Sequence, residues 1–122
     1  MQGNSYTIQN DYLSVEVQAK GAELMSLYNK KEQLEYMWSG DPAFWGKHSP
    51  VLFPIIGELK NNTYYYNNKA YQLGRHGFAR DMEFTVTEQT TSSIGFSLLS
   101  NADTLQKFPF EFGFDIEYLL QQ

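Results

Sequence analysis

The feature that most constrains the fold is a regular alternation near the end of the chain. Every second position from 110 to 120 is aromatic or aliphatic: Phe110, Phe112, Phe114, Ile116, Tyr118 and Leu120. Because successive side chains of a β-strand point to opposite faces, a period of two residues predicts a strand with one buried face. A strand with such an apolar face needs a second layer to cover it, so the alternation already indicates a layered β-protein.

The same period recurs earlier in the chain. It predicts strands over 13–17, 23–28 and 34–38, and two further strands over 82–86 and 94–98. The short polar segments between these runs are typical of turns that connect antiparallel neighbours. The sequence therefore predicts an all-β, antiparallel protein.

Two asparagines predict a tight reversal of the chain. Asn67 and Asn68 separate two tyrosine-containing segments, and Asn tolerates the positive φ values that a two-residue hairpin turn requires. The second strand of this hairpin leads directly into positions 73–76. Further along, Asn101 is a capping residue that predicts a helical turn over 101–107.

The apolar run at 49–57 contains Pro54, which cannot donate a hydrogen bond to a sheet. We expect an edge strand or a buried extended loop there. Extended buried backbone of this kind often forms the wall of a pocket.

Composition and charge narrow the class of protein. The chain has 122 residues, of which 42% are hydrophobic and 19% charged, and this predicts one globular domain over 1–122. A net charge of −5 argues against sequence-independent binding of nucleic acid, which needs a basic surface. The absence of cysteine excludes a disulfide-stapled scaffold. No leader-like or membrane-spanning apolar run occurs, so we expect no membrane partner and a cytoplasmic location.

Positions 74–81 form the candidate site. They contain both arginines of the chain, Arg75 and Arg80, and one of its two histidines, His76. An imidazole can exchange a proton near neutral pH, and guanidinium groups offer fixed donors to hydroxyl, carboxylate or phosphate oxygens. The alternative is a solvated basic loop, because a histidine between arginines matches no catalytic motif by itself. Two histidines far apart in sequence, with no cysteine, do not predict a metal site.

Ordered blocks of sequence resemble a known family. The blocks lie at 21–24, 36–38, 44–54, 57–60 and 75–81, and the last reads Arg-His-Gly-Phe-Ala-Arg-Asp. Together they resemble the galactose mutarotase-like, or aldose 1-epimerase, family and within it the LacX-like branch. The resemblance implies the family's large antiparallel β-sandwich, the supersandwich, in agreement with the predicted strands.

The resemblance also implies an activity and its residues. The family interconverts the α and β anomers of an aldohexose or a hexose phosphate by acid/base opening of the ring, and it needs no cofactor. His76 matches a catalytic histidine beside the ring oxygen. Arg80 would bind sugar hydroxyls or a phosphate, Lys60 lies where typical members carry a substrate-binding arginine, and Phe78 is the aromatic residue expected to touch the ligand.

The sequence also departs from the family pattern. The family's second histidine and its glutamate base come from a later part of the domain, and no residue here matches them; His48 is expected to be a loop histidine bonded to backbone. We therefore expect the N-terminal part of an incomplete sandwich, an isomerase that alone is poorly active or inactive. Its open apolar face would be covered by a second copy of the chain or by a larger domain. The alternative is a non-catalytic carbohydrate-binding β-sandwich module.

Overall fold

The computed structural model describes residues 4–121. One antiparallel sheet has four strands in sequence order, β1 (Ser5–Gln9), β2 (Leu13–Gln18), β3 (Glu23–Asn29) and β4 (Leu34–Glu35). A two-stranded hairpin follows, made of β5 (Thr63–Tyr66) and β6 (Lys69–Gln72). A second sheet consists of β7 (Thr85–Gln89), β8 (Ser93–Leu99) and β9 (Gly113–Leu119), with a short helix α1 (Ala102–Lys107) before β9.

The core lies between the two larger sheets. Val15 and Val17 of β2 and Ile94 and Phe96 of β8 belong to one buried cluster, and each is at most 3% exposed. The apolar side chains of β9 pack against the same cluster, as their alternation predicts. Burial of each large apolar side chain stabilises the fold by about 1.5–3 kcal/mol. The predicted all-β, antiparallel sandwich is confirmed.

Backbone hydrogen bonds join the two sheets at one corner. The N–H of Gly21 donates to the carbonyl of Met82 across 2.7 Å, and the N–H of Phe84 donates to the carbonyl of Ala19 across 2.9 Å. A β-carbon on Gly21 would lie 2.7 Å from the carbonyl oxygen of Arg80, so the two segments approach as closely as glycine allows. This corner places Arg80 beside the first sheet.

Three strand predictions need correction. The strand predicted over 34–38 ends at Glu35, because the Glu35 carboxylate accepts the N–H groups of Leu27 and Met37 and the chain leaves the sheet. The strand predicted from position 82 begins at Thr85. The residues before it, Met82 and Phe84, form backbone hydrogen bonds with the first sheet at the corner described above. The strand predicted from position 110 begins only at Gly113.

The predicted hairpin and helical turn are confirmed. Asn67 and Asn68 have φ values of 48° and 62°, and they connect β5 to β6. Asn101 caps α1, where its side chain accepts the N–H of Thr104 across 2.9 Å. The hairpin rests against this helix, because the Tyr64 hydroxyl donates to the carbonyl of Lys107 across 2.7 Å.

Candidate functional site

The loop that carries His76 is held by the backbone of the proline-containing segment. The carbonyl of Phe53 accepts the N–H groups of Phe78 and Ala79 across 2.9 and 3.1 Å. Gly77 has a φ of +74°, and a β-carbon there would lie 2.2 Å from the Phe53 oxygen. Only glycine fits this close approach at a positive φ. The apolar run around Phe53 forms one isolated bridge, between Phe53 and Gly77, and no edge strand. Residues 51–55 are half-buried, so the predicted extended loop is not fully buried, but it supports the site.

His76 is fixed at both its backbone and its ring. Its N–H donates to the carbonyl of Gly57 across 2.8 Å, and its Nδ1 accepts the N–H of Gly57 across 2.8 Å. An Nδ1 that accepts a hydrogen bond carries no proton, so the proton of the neutral ring lies on Nε2. In the described part of the chain Nε2 forms no hydrogen bond, which leaves it free to donate to a ligand.

His76 shares a cavity of about 490 Å³ with Arg80. The remaining lining residues are Trp45, Pro50, Leu52 and Arg75. The cavity thus combines an imidazole, two guanidinium groups and three apolar or aromatic walls. This mixture suits a small molecule that has both hydroxyl groups and apolar C–H faces.

The Arg80 guanidinium has N–H groups without a hydrogen-bond partner within residues 4–121. It lies in the 3-10 turn Ala79–Asp81, and its Nη2 donates to the carbonyl of Arg75 across 3.1 Å. Its Nε is buried and has no hydrogen-bond partner within residues 4–121, and no carboxylate in that range forms an ion pair with it. Within residues 4–121, Arg80 therefore forms no ion pair with the nearby acidic residues Asp81 and Glu83.

The other two predicted ligand-binding residues lie elsewhere. Lys60 is exposed and lines a separate surface depression beside Thr63 and Tyr65. Phe78 is 7% exposed, and its ring packs against those of Phe53 and Phe112. The structure therefore brings His76 and Arg80 together but not Lys60 or Phe78. The substrate-binding roles of those two residues stay predictions.

Glu23, which no sequence pattern identified as a site residue, is buried beside the site. Its side chain is 3% exposed, and it lines a second cavity of about 400 Å³ that Arg80 also lines. Burial, and secondly the negative charge of Glu23, raise the pKa of the nearby Tyr118 phenol. The only signal in the sequence was an acidic residue at the start of an otherwise apolar strand. That position can equally face solvent.

The second histidine lies beside this carboxylate. The Nδ1 of His48 is 3.8 Å from the carboxylate of Glu23, and its Nε2 is 3.2 Å from the carbonyl of Ser39. The predicted contact of His48 with backbone is therefore present. His48 also lines the cavity that Glu23 and Arg80 share.

No group of three or more His, Cys, Asp or Glu side chains within 4–121 is arranged to hold a metal ion. No helix in that range is long and apolar enough to cross a membrane.

Comparison with known proteins gives consistent results. The family model for aldose 1-epimerase matches residues 4–122. Two curated relatives, the chromosomal and plasmid forms of Protein LacX from Lactococcus lactis subsp. lactis, are each 36% identical over 118 residues. The matches cover 93% of this chain and 39% of each relative, so the chain spans about two fifths of their length.

Solved structures agree in fold. A galactose mutarotase related enzyme from Lactobacillus acidophilus has 44% identity and a TM-score of 0.94, with 97% of this chain and 39% of that chain covered. A galactose mutarotase-like protein from Lactobacillus casei ATCC 334 has 42% identity and a TM-score of 0.94, with 97% and 40% covered. The predicted mutarotase-like β-sandwich is therefore confirmed.

Proposed function

Because the chain belongs to the aldose 1-epimerase family, and within it to the LacX-like branch, we propose that it binds an aldohexose or a hexose phosphate for interconversion of its α and β anomers. The observation that carries the proposal is the cavity shared by His76 and Arg80. His76 offers a free Nε2 donor. Arg80 offers Nη N–H groups beyond the one that its Nη2 donates to the Arg75 carbonyl, and both types of group suit sugar oxygens.

The chemistry follows from these donors. The Nε2–H of neutral His76 hydrogen-bonds the ring oxygen, which gains negative charge as the bond from C1 to the ring oxygen breaks. A base takes the proton of the C1 hydroxyl, and the open-chain aldehyde rotates about C1–C2 before the ring closes again. Complete transfer of a proton to the ring oxygen requires a doubly protonated imidazole. That form has to give up the hydrogen bond from Gly57, because its Nδ1 then carries a proton.

We infer that the general base is not among the residues that line this cavity. None of the residues that line the His76 cavity within 4–121 is a carboxylate. We propose that the chain forms one part of a mutarotase sandwich, and that alone it binds sugar with little or no turnover. The same observation favours a second candidate function, a carbohydrate-binding β-sandwich module that performs no catalysis.

Binding is the first test. Chemical-shift changes are measured by NMR while α/β-equilibrated D-galactose, D-glucose or a hexose 6-phosphate is added. His76→Ala and Arg80→Ala should each weaken binding about tenfold, the loss expected for one hydrogen bond in a partly buried site. Lys31→Ala, which removes an exposed cation from the turn between β3 and β4, should leave binding unchanged. Lys60→Ala and Phe78→Leu test, in the same titration, the predicted substrate-binding roles of these two residues outside the cavity.

Turnover tests whether these residues can supply a base. Polarimetry follows the mutarotation of freshly dissolved α-D-glucose and α-D-galactose with and without the chain. Binding without acceleration over buffer is the expected result for the chain alone. Acceleration that is lost in His76→Ala would mean that these residues, or a second copy of them, supply a base. If no sugar binds and no rate changes, the proposed function is wrong.

A further inference from the structure

A buried carboxylate ties one wall of the His76 cavity to the first sheet. Oε2 of Glu23 accepts the backbone N–H groups of His48 and Ser49 across 2.7 and 3.1 Å. The hydroxyl of Ser49 donates to the carbonyl of Leu24 across 2.8 Å, so neighbouring residues of the segment are bonded to neighbouring residues of β3. Hydrogen bonds to an ionised acceptor are about twice as strong as neutral ones.

The segment that Glu23 binds, around His48 and Ser49, forms one wall of the His76 cavity. Pro50 and Leu52 lie one and three positions after Ser49 and line the cavity, and Trp45, three positions before His48, lines it too. The carbonyl of Trp45 accepts the indole N–H of Trp38 across 2.7 Å. The wall residues before His48 and after Ser49 are therefore held by a few hydrogen bonds, and Glu23 accepts two of them.

The same carboxylate faces the His48 ring, which is closely surrounded. A β-carbon on Gly40 would lie 2.4 Å from Cε1 of His48, so the loop folds directly onto the imidazole. Nδ1 of His48 lies 3.8 Å from the Glu23 carboxylate and has no hydrogen-bond partner within residues 4–121. Glu23 thus binds the backbone of His48 and Ser49 and faces the His48 ring, against which the loop at Gly40 packs.

We infer that Glu23 is a positioning residue for the sugar cavity: it does not touch the ligand in that cavity, but it sets the distance of the Trp45, Pro50 and Leu52 wall from His76. This inference rests on the proposed function. A wall held this way affects ligand affinity because a site whose supporting contacts are lost becomes too loose by a fraction of an ångström.

The chain offers a matched control. Glu35 also accepts two backbone N–H groups on one carboxylate oxygen, those of Leu27 and Met37, across 2.8 and 3.1 Å. It lies in β4 and does not line the His76 cavity. Glu23→Leu and Glu35→Leu each remove a carboxylate that accepts two backbone N–H groups. Glu23 is buried and Glu35 is exposed, and only Glu23→Leu removes hydrogen bonds to the cavity wall.

Sugar affinity is measured by NMR titration with D-galactose and D-glucose under conditions where each variant is folded. Glu23→Leu should raise the Kd at least about tenfold, whereas Glu23→Gln, whose amide oxygen still accepts, should stay within about threefold of the wild type. Glu35→Leu should leave the Kd unchanged. A folded Glu23→Leu variant with wild-type affinity, or an equal loss in Glu35→Leu, would overturn the inference.

A readout without sugar separates this inference from the proposed function. The amide protons of Phe78 and Ala79, both bonded to the Phe53 carbonyl, should exchange with solvent about tenfold faster in Glu23→Leu and at the wild-type rate in Glu35→Leu. If the wild type binds neither sugar and no hexose 6-phosphate, the proposed function fails, and amide exchange alone decides the role of Glu23. Should Glu23→Leu not fold, Glu23→Asp replaces it with the same expectations, because the shorter side chain cannot reach both N–H groups.

Discussion

Gly57 and His76 exchange two hydrogen bonds, each 2.8 Å long: the N–H of His76 donates to the Gly57 carbonyl, and the N–H of Gly57 donates to Nδ1 of the ring. The second bond selects one tautomer of the neutral imidazole. We expect nitrogen–proton NMR correlations of His76 to show the Nε2–H tautomer as the predominant neutral form. A predominant Nδ1–H tautomer would contradict the arrangement and would remove the proposed donor to the ring oxygen.

The loop at Gly77 should not tolerate a side chain. Gly77→Ala would place a β-carbon 2.2 Å from the Phe53 oxygen at a φ of +74°, so the backbone has to move. We expect a loss of about 2–3 kcal/mol in the free energy of unfolding, measured in urea. Gly74→Ala is the matched control, since its β-carbon would meet no atom within 4 Å. Its effect should be about 0.5 kcal/mol or less, and equal losses in the two variants would refute the steric argument.

Local patterns were enough to predict most strands. The alternation in β2, β3, β8 and β9 identified them because one face of each strand meets the core. The pair Asn67-Asn68 identified the hairpin because few residues adopt its positive φ values. The early end of β4 was not predictable in this way, since it depends on where the Glu35 carboxylate finds its donors. The first strand, β1, was also missed, although Tyr6 and Ile8 alternate with polar residues.

The site was predictable only in part. His76 and Arg80 were candidates from their motif, and the structure brings them to one cavity. The orientation of the imidazole depends on Gly57, nineteen positions away in the chain, which no local pattern indicates. Glu23 was missed for a related reason: the N–H groups that make its burial favourable come from His48 and Ser49. A local pattern gives the face on which a residue lies, whereas its partners depend on the tertiary fold.

Phe96 and Phe44 should differ widely in their contribution to the free energy of unfolding. Phe96 is 1% exposed and packs edge to face against Tyr6 and Tyr118, while Phe44 is 80% exposed. Phe96→Ala should lower the free energy of unfolding by about 3–5 kcal/mol because it removes buried surface and leaves a cavity. Phe44→Ala should change it by about 0.5 kcal/mol or less. Urea denaturation of both variants tests the difference, and a small effect at Phe96 would mean that the two sheets do not pack as described.

The Tyr118 phenol links stability to alkaline pH. Its hydroxyl donates to the carbonyl of Ala22 across 2.7 Å, joining β9 to the corner between the sheets. Burial, with a smaller contribution from the Glu23 charge, raises its pKa above the ordinary value of 10.0. The folded state therefore keeps this proton at a pH where the unfolded chain loses it. The corresponding stability is fully present below pH 10.0 and decreases as the pH rises through the raised pKa.

Tyr118→Phe removes both the hydrogen bond and this titration. At neutral pH the variant should be less stable by about 1 kcal/mol, the typical contribution of one such bond. Above pH 10.0 the wild type should lose stability more steeply than the variant, so the difference between them should shrink as pH rises. Urea unfolding of both proteins at a series of pH values measures this, and Tyr65→Phe in the exposed hairpin controls for the loss of a tyrosine. A difference that stays constant with pH would show that the Tyr118 proton is held no more tightly in the folded state than in the unfolded chain.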